Sequence, residues 1–218
     1  MHFQHRREAG QRLGAHLQAV LGPRDDVVVL GIPRGGVVVA RPVAEALRAP
    51  LDVIIPRKIG APGNPELAIG AVAAAGAGDI VVVDERSLKW MEVPEAYVRE
   101  EAARQRQEIE RRQAVYRQGR APLPVEGRTV VVVDDGLATG LTARAALSAL
   151  ERLGPREVVL AVPVAPKETV AEFRARGLRI EALETPAPFI AVGRFYADFE
   201  PVEDEEVLAV LAAPPVPE

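Results

Sequence analysis

The residues best equipped for chemistry stand together at Val130-Val-Val-Val-Asp-Asp-Gly-Leu-Ala-Thr-Gly-Leu-Thr142. Asp134 and Asp135 follow an uninterrupted apolar run, as acids do at the carboxyl end of a buried strand. Gly136 and Gly140 permit a tight loop with its N–H groups turned inward. Thr139 and Thr142 add hydroxyl donors, and the helix expected from Leu141 aims its N-terminus at the same spot. Together these make an anion cradle suited to one phosphate monoester. Two adjacent carboxylates would repel that anion unless they face something else. Sugar hydroxyls, which donate hydrogen bonds, and a divalent cation are the natural candidates. An isolated Asp-Asp-Gly usually just ends a strand; the apolar run before it and Ala-Thr-Gly-Leu-Thr after it make this one a candidate site.

Two other segments carry chemistry. Gly31-Ile-Pro-Arg-Gly-Gly36 directly follows a β-branched run and combines a cation, Arg34, with a tight turn. Gly31 and Gly36 have the spacing of a nucleotide-binding phosphate loop, but Val37-Val38 stand where that motif requires Lys and Ser/Thr. The dinucleotide spacing Gly-x-Gly-x-x-Gly occurs in neither loop. Arg57-Lys58 follows a second apolar run; by itself this pair reads equally well as a solvated loop.

The elements that must position these groups alternate along the chain. Gln4 to Leu21 predicts a helix, with Leu13, Leu17, Val20 and Leu21 on one side and Gly22-Pro23 as its stop. Asp26–Gly31 predicts a strand, Val37–Leu47 a crossover helix and Leu51–Ile55 a second strand. Arg57 to Gly78 is dense in turn formers and small residues and reads as a mobile loop or loose hairpin, ahead of a strand at Ile80–Val83. Pro94–Tyr116 predicts a long polar helix with a thin apolar stripe and ion pairs such as Glu100/Arg104, the pattern of a solvated surface helix. Arg128–Val133, Glu157–Val162 and Leu178–Leu183 predict strands, with helices at Leu141–Leu153 and Lys167–Arg176. An aromatic patch at Phe189–Phe199, an acid-led helix at Glu203–Leu211 and a Pro-rich end expected to fray complete the chain. Strands alternating with helices indicate an α/β fold around a central, mostly parallel sheet.

Composition narrows the classes. The absence of cysteine excludes disulfides, thiolate catalysis and cysteine-ligated zinc. A net charge of −4 gives no electrostatic case for nucleic acid, and no apolar run approaches the ~20 residues of a membrane span. Met1-His-Phe-Gln-His-Arg-Arg lacks the apolar stretch of a signal peptide, so a cytoplasmic, soluble protein is expected.

The motif at 130–142 closely resembles the ribose-phosphate motif of the type I phosphoribosyltransferases, and the other two segments fall in that family's order. The resemblance covers roughly residues 26–185. It implies that Asp134 and Asp135 contact the ribose 2′- and 3′-hydroxyls and touch Mg²⁺ indirectly, through substrate or water. Gly136, Leu137, Ala138, Thr139, Gly140, Leu141 and Thr142 would wrap the 5′-phosphate. Pro33, Arg34, Gly35 and Gly36 look like the pyrophosphate loop, and Arg57-Lys58 is similar to the basic pair opening the family's active-site loop. Arg34, Arg57, Lys58 and Asp135 would then be the catalytic residues. Cations there suit a pyrophosphate leaving group, on which charge accumulates as the C1–O bond breaks. The implied partners are phosphoribosyl pyrophosphate and a nitrogenous base or nucleotide, and a homodimer stays open.

The resemblance also implies a single phosphoribosyltransferase-like domain over 1–218, a flexible loop plus helical insertion at 57–120, and a C-terminal hood and tail at 185–218. Members acting on 6-oxopurines carry an aspartate where this chain has Ala138, so a hypoxanthine or guanine role is disfavoured. The aromatic patch suits either a stacking surface for a base or a small satellite core. Three alternatives stand beside catalysis: a non-catalytic or regulatory protein binding the same ligand, a receiver-like phosphotransfer domain, and a diphosphokinase of the same fold. The Thr/Gly loop directly after Asp135 argues against the receiver, and the lack of an ATP motif against the kinase.

Overall fold

The computed structural model describes residues 3–75 and 78–213, so residues 1–2, 76–77 and the Pro-rich stretch at 214–218 lie outside the described residues. In chain order α1 (Arg6–Leu21), β1 (Val27–Gly31), α2 (Gly35–Leu47) and β2 (Leu51–Val53) come first. There follow β3 (Pro56–Ala61), β4 (Asn64–Ala75), β5 (Gly78–Val83), α3 (Glu85–Trp90) and α4 (Glu95–Arg117). The remainder is β6 (Thr129–Val133), α5 (Leu141–Glu151), β7 (Glu157–Val164), α6 (Lys167–Ala175), β8 (Arg179–Glu184), a 3-10 turn at Val192–Phe195 and α7 (Asp204–Ala212). The class is α/β, with α4 as the helical insertion and α7 in the C-terminal hood. These elements form two compact units: Met1–Ile54, Pro122–Thr139 and Gly154–Glu218 in the first, Ile55–Ala121 and Gly140–Leu153 in the second.

The first unit holds a five-stranded parallel sheet in the order β2-β1-β6-β7-β8. All five residues of β1 and all five of β6 are buried, which is why both read as continuous Val-rich runs rather than alternating ones. Leu13 and Leu17 of α1 join Val39 and Val43 of α2 over Val29, Val131, Val133 and Val159 of the sheet. Each such fully buried aliphatic side chain contributes roughly 1.5–3 kcal/mol relative to exposure. From β1 the order runs to β2 on one side and to β6, β7 and β8 on the other. The chain therefore changes winding direction between β1 and β6, where ligands of open α/β sheets bind beyond the carboxyl ends.

The second unit is an antiparallel sheet, β3-β4-β5, with α5 packed on it through Leu141, Ala145 and Ala149 against Ala71, Ala73 and Ile80. The stretch expected to be a mobile loop or loose hairpin is thus an ordered hairpin in which β4 alone takes in Asn64–Ala75. Its alanines give no β-branched signal, yet small side chains are what a closely packed helix face accepts. Helix α4 keeps Ile109 and Tyr116 fully buried while most of its charges pair along its own surface, as with Glu108 and Arg111 at 2.8 Å. Among the described residues, no helix is long and apolar enough to cross a membrane.

Candidate functional site

In the first unit, two loops leave adjacent strands at paired residues. Gly31 of β1 lies opposite Val133 of β6, and the Ile32 N–H donates to the Val133 carbonyl at 2.8 Å. The first loop enters α2 at Gly35 after a cis Pro33–Arg34 peptide, two residues earlier than the hydropathy suggests. Gly35 can be nothing else. A Cβ there would lie 2.0 Å from Asp135 Oδ2 and 2.6 Å from Arg6 Nε. The two loops are therefore in contact through a position that tolerates no side chain. Pro33 and Arg34 are partly exposed and Gly36 is buried; the Arg34 guanidinium donates from Nη1 to Glu203 Oε2 at 2.7 Å, just ahead of α7.

The second loop begins with the acid pair. Asp134 Oδ1 accepts from the Asp135 N–H at 2.8 Å, and Asp135 Oδ2 accepts from Arg6 Nε at the same distance. Burial raises the Asp134 carboxyl well above the ordinary carboxylate range, and the neighbouring Asp135 charge pushes it further. Burial raises Asp135 as well, against the opposing hydrogen bond and charge of Arg6. Tyr196 donates its hydroxyl to the Asp135 carbonyl at 2.7 Å, and burial followed by the Asp135 charge pushes that phenol up. Gly136 follows, and the Leu137 N–H donates to the Val164 carbonyl at 3.0 Å, with the Leu137 side chain buried. Ala138 and Thr139 are exposed, and the Ala138 carbonyl accepts from Thr169 Oγ1 at 2.9 Å. Perturbed acids of this kind in a loop beyond a sheet make the loop a candidate functional site.

In the second unit, Gly140 stands just before α5 with φ of 70°, a left-handed backbone that glycine adopts without strain. Leu141 is buried and Thr142 half-buried in the first turn of α5, whose leading N–H groups have no intrahelical acceptor. Arg57 and Lys58 are successive residues of β3, so their side chains leave opposite faces of that sheet. Arg57 Nε donates to Gln105 Oε1 of α4 at 3.0 Å, and burial, followed by the charge of Arg112, lowers its pKa. Lys58 pairs with the exposed Glu66 at 2.7 Å.

A family model described as phosphoribosyl transferase domain matches residues 13–193, most of the chain and all three segments. The chain belongs to the type I phosphoribosyltransferases. A putative phosphoribosyl transferase of Mycobacterium tuberculosis is 42% identical over 209 residues, covering 96% of this chain but 46% of that protein. The chain thus spans about half the length of these curated relatives. A bifunctional protein PyrR of Leifsonia xyli is 30% identical over 188 residues, with 85% of this chain and 81% of that protein covered. The crystal structure of TT1426 from Thermus thermophilus is similar at 48% identity and a TM-score of 0.79, covering 97% of this chain and 98% of that one.

In this chain the local motifs carry the loops but not what surrounds them. Arg6, Tyr196 and Glu203 all touch loop residues; Arg6 and Glu203 come from helices read for packing alone, and Tyr196 from the patch read as either a stacking surface or a satellite core. Their signal is a long-range pairing that no local pattern contains. The aromatic patch proves to be mostly self-packed: Phe189 stacks on Phe195 at 5.2 Å, and Tyr196 meets Phe199 at 4.9 Å and Phe3 at 5.4 Å. No cluster of three or more metal-ligating side chains occurs among the described residues.

Proposed function

We propose that this chain binds 5-phosphoribosyl 1-pyrophosphate and transfers the phosphoribosyl group to or from a nitrogenous base, with pyrophosphate as leaving group. One observation carries the reading. A glycine-and-arginine loop and an acid-pair loop leave neighbouring parallel strands at the paired ends Gly31 and Val133 and touch at Gly35. In this reading Asp134 and Asp135 accept hydrogen bonds from the ribose hydroxyls. The segment from Gly136 through Thr142 takes the 5′-phosphate on its backbone N–H groups and threonine hydroxyls. Pro33 shapes the first loop, while Arg34 and the Gly35 and Gly36 amides hold the pyrophosphate and stabilise charge as the C1–O bond opens. The base nitrogen forms the new bond to C1 as the C1–O bond breaks, and its proton passes to the departing pyrophosphate or to solvent. Positioning and electrostatics supply the acceleration, since Ala138 places no acid beside the base.

Two carboxylates, one of them already paired with Arg6, do not make a metal cage. They fit a Mg²⁺ ion carried in on the sugar pyrophosphate, where it would offset the leaving-group charge. Arg34 must exchange Glu203 for the ligand. Arg57, held against α4, favours a second reading in which the chain binds the sugar pyrophosphate and regulates without turnover.

Calorimetry with the sugar pyrophosphate, with and without Mg²⁺, followed by pyrophosphate release across free bases, separates the two. Tight Mg²⁺-dependent binding with turnover on one base is expected. Binding without turnover on any base selects the regulatory reading, and no binding defeats both.

A further inference from the structure

Three segments far apart in sequence meet at the Arg6 guanidinium. Its Nε donates to Asp135 Oδ2 at 2.8 Å and its Nη1 to the Glu200 carbonyl at 2.8 Å, while its flat face lies 3.8 Å from the centre of the Phe199 ring. Phe199 packs on Tyr196, whose hydroxyl holds the Asp135 carbonyl. The same Arg6 Nε stands 2.6 Å from where a Gly35 Cβ would be, so Arg6 sits at the junction of both glycine loops.

We propose that Arg6 is a positioning residue of the ribose site: it sets the Asp135 carboxylate toward a sugar hydroxyl and ties it to the Phe199–Glu200 segment of the hood. The proposal rests on the ribose-phosphate reading above.

The chemistry of the side chain supports it. A planar guanidinium can use two edges for hydrogen bonds and a face for an aromatic ring at once, and an ammonium cannot. The Arg6 and Asp135 side chains are 11% and 18% exposed, so the pair is largely shielded from water and its geometry is held. Removing one member of such a pair leaves the other charge uncompensated. Because Arg6 takes Oδ2, the plane of the carboxylate is set, and with it the direction of its second oxygen. Arg6 also places a positive charge beside two acids in a site meant for a polyanion. Arg12, farther along α1, pairs with Glu8 and lies over the Phe3 ring instead. The contact with the acid loop thus belongs to Arg6 and is not a general property of the helix.

The test is calorimetry on the whole chain and its Arg6→Gln and Arg6→Lys variants. The titrants are ribose 5-phosphate, its 2-deoxy and 3-deoxy analogues, and inorganic pyrophosphate. The wild type should prefer ribose 5-phosphate to the analogue lacking the hydroxyl that Asp135 holds. Arg6→Gln should bind ribose 5-phosphate about tenfold more weakly, the range of one charge-assisted hydrogen bond, and lose most of that preference. Arg6→Lys keeps the charge without the fork, so it should retain pyrophosphate affinity and still lose part of the preference. A purely structural role would weaken all four ligands alike and leave the hydroxyl preference intact. That outcome in either folded variant, judged by thermal melting, overturns the proposal. If Arg6→Gln does not fold, Arg6→Lys alone decides. A wild type that binds no sugar phosphate overturns the ribose-phosphate reading instead, before any variant is made.

Discussion

The two ends of the parallel sheet are built on opposite electrostatic plans. At the amino end each of the named charges has an opposite partner. Arg24 bonds Glu157 at 2.9 Å, Arg179 bonds the other oxygen of Glu157 at 2.6 Å, and Arg156 pairs with Asp26. The buried Thr129 hydroxyl sits among Arg24, Arg156 and Asp26 at 3.0 Å each. At the carboxyl end two acids adjoin, one cation serves the second of them, and burial raises both. One end is arranged for stability and the other tolerates electrostatic conflict, which is how binding sites commonly differ from the scaffold that carries them.

The sharpest way to break this contrast is Gly35→Ala. Its methyl would meet Asp135 Oδ2 at 2.0 Å, so the two loops must separate. Binding of the sugar pyrophosphate should fall below calorimetric detection, while the stability measured in urea melts drops by no more than an overpacked position requires, about 1–3 kcal/mol. Retained affinity would show that the loops need not touch. Thr129→Val, at the other end, should do the reverse. Losing the hydroxyl leaves Arg24, Asp26 and Arg156 short of a partner, which should lower stability by about 1–3 kcal/mol in urea melts and leave binding unchanged.

Asp134→Asn tests the conflict directly. Removing a carboxylate kept at high pKa by burial and by Asp135 should raise the melting temperature at neutral pH by about 2–4 °C, the shift of ~1 kcal/mol in a chain of this size. It should weaken ribose 5-phosphate binding in the same protein. A variant both less stable and fully able to bind would reverse the assignment of this end. The smallest effect is in pH dependence. Glu157 is depressed first by its hydrogen bond from Arg179, against burial, and then by Arg24. A depressed carboxylate stabilises the fold above its unfolded pKa and loses that contribution as pH falls through the folded one. Arg179→Gln should therefore flatten the loss of melting temperature on acidification below ~pH 5. Asp134, with a raised pKa, runs the other way: its unfavourable ionisation is relieved as pH falls through its folded value.

What the residues disclose in advance follows from how local each cause is. β1 and β6 announce themselves because strands buried on both faces must be apolar throughout. The acid pair, Gly140 and Thr142 announce the second loop because the chain before and after it has only one way to proceed. The β3–β4 hairpin is far less legible, since Ala71 and Ala73 are small for the sake of a helix some seventy residues later. Helix α3 carries its own local signal, an N-cap: Asp84 accepts from the Arg86 N–H and from Ser87 Oγ. Arg57 and Lys58 look like a functional pair in one dimension, but the two-residue period of β3 sends them to opposite faces. Arg6 had no local signal at all.

The tie between Arg6 and Glu200 spans 194 positions, and the Phe3 N–H and carbonyl pair with Phe195 and Ala197 beside it. Contacts of such separation close late, because the loop between them must lose its freedom before any contact compensates. On a ribosome, the sheet and both glycine loops can be complete while Arg6 still lacks its Phe199 and Glu200 partners. A nascent chain ending before Phe195 should therefore hold folded strands around an unfinished acid loop, and acquire its mature carboxylate geometry only as Phe195 to Glu200 emerge.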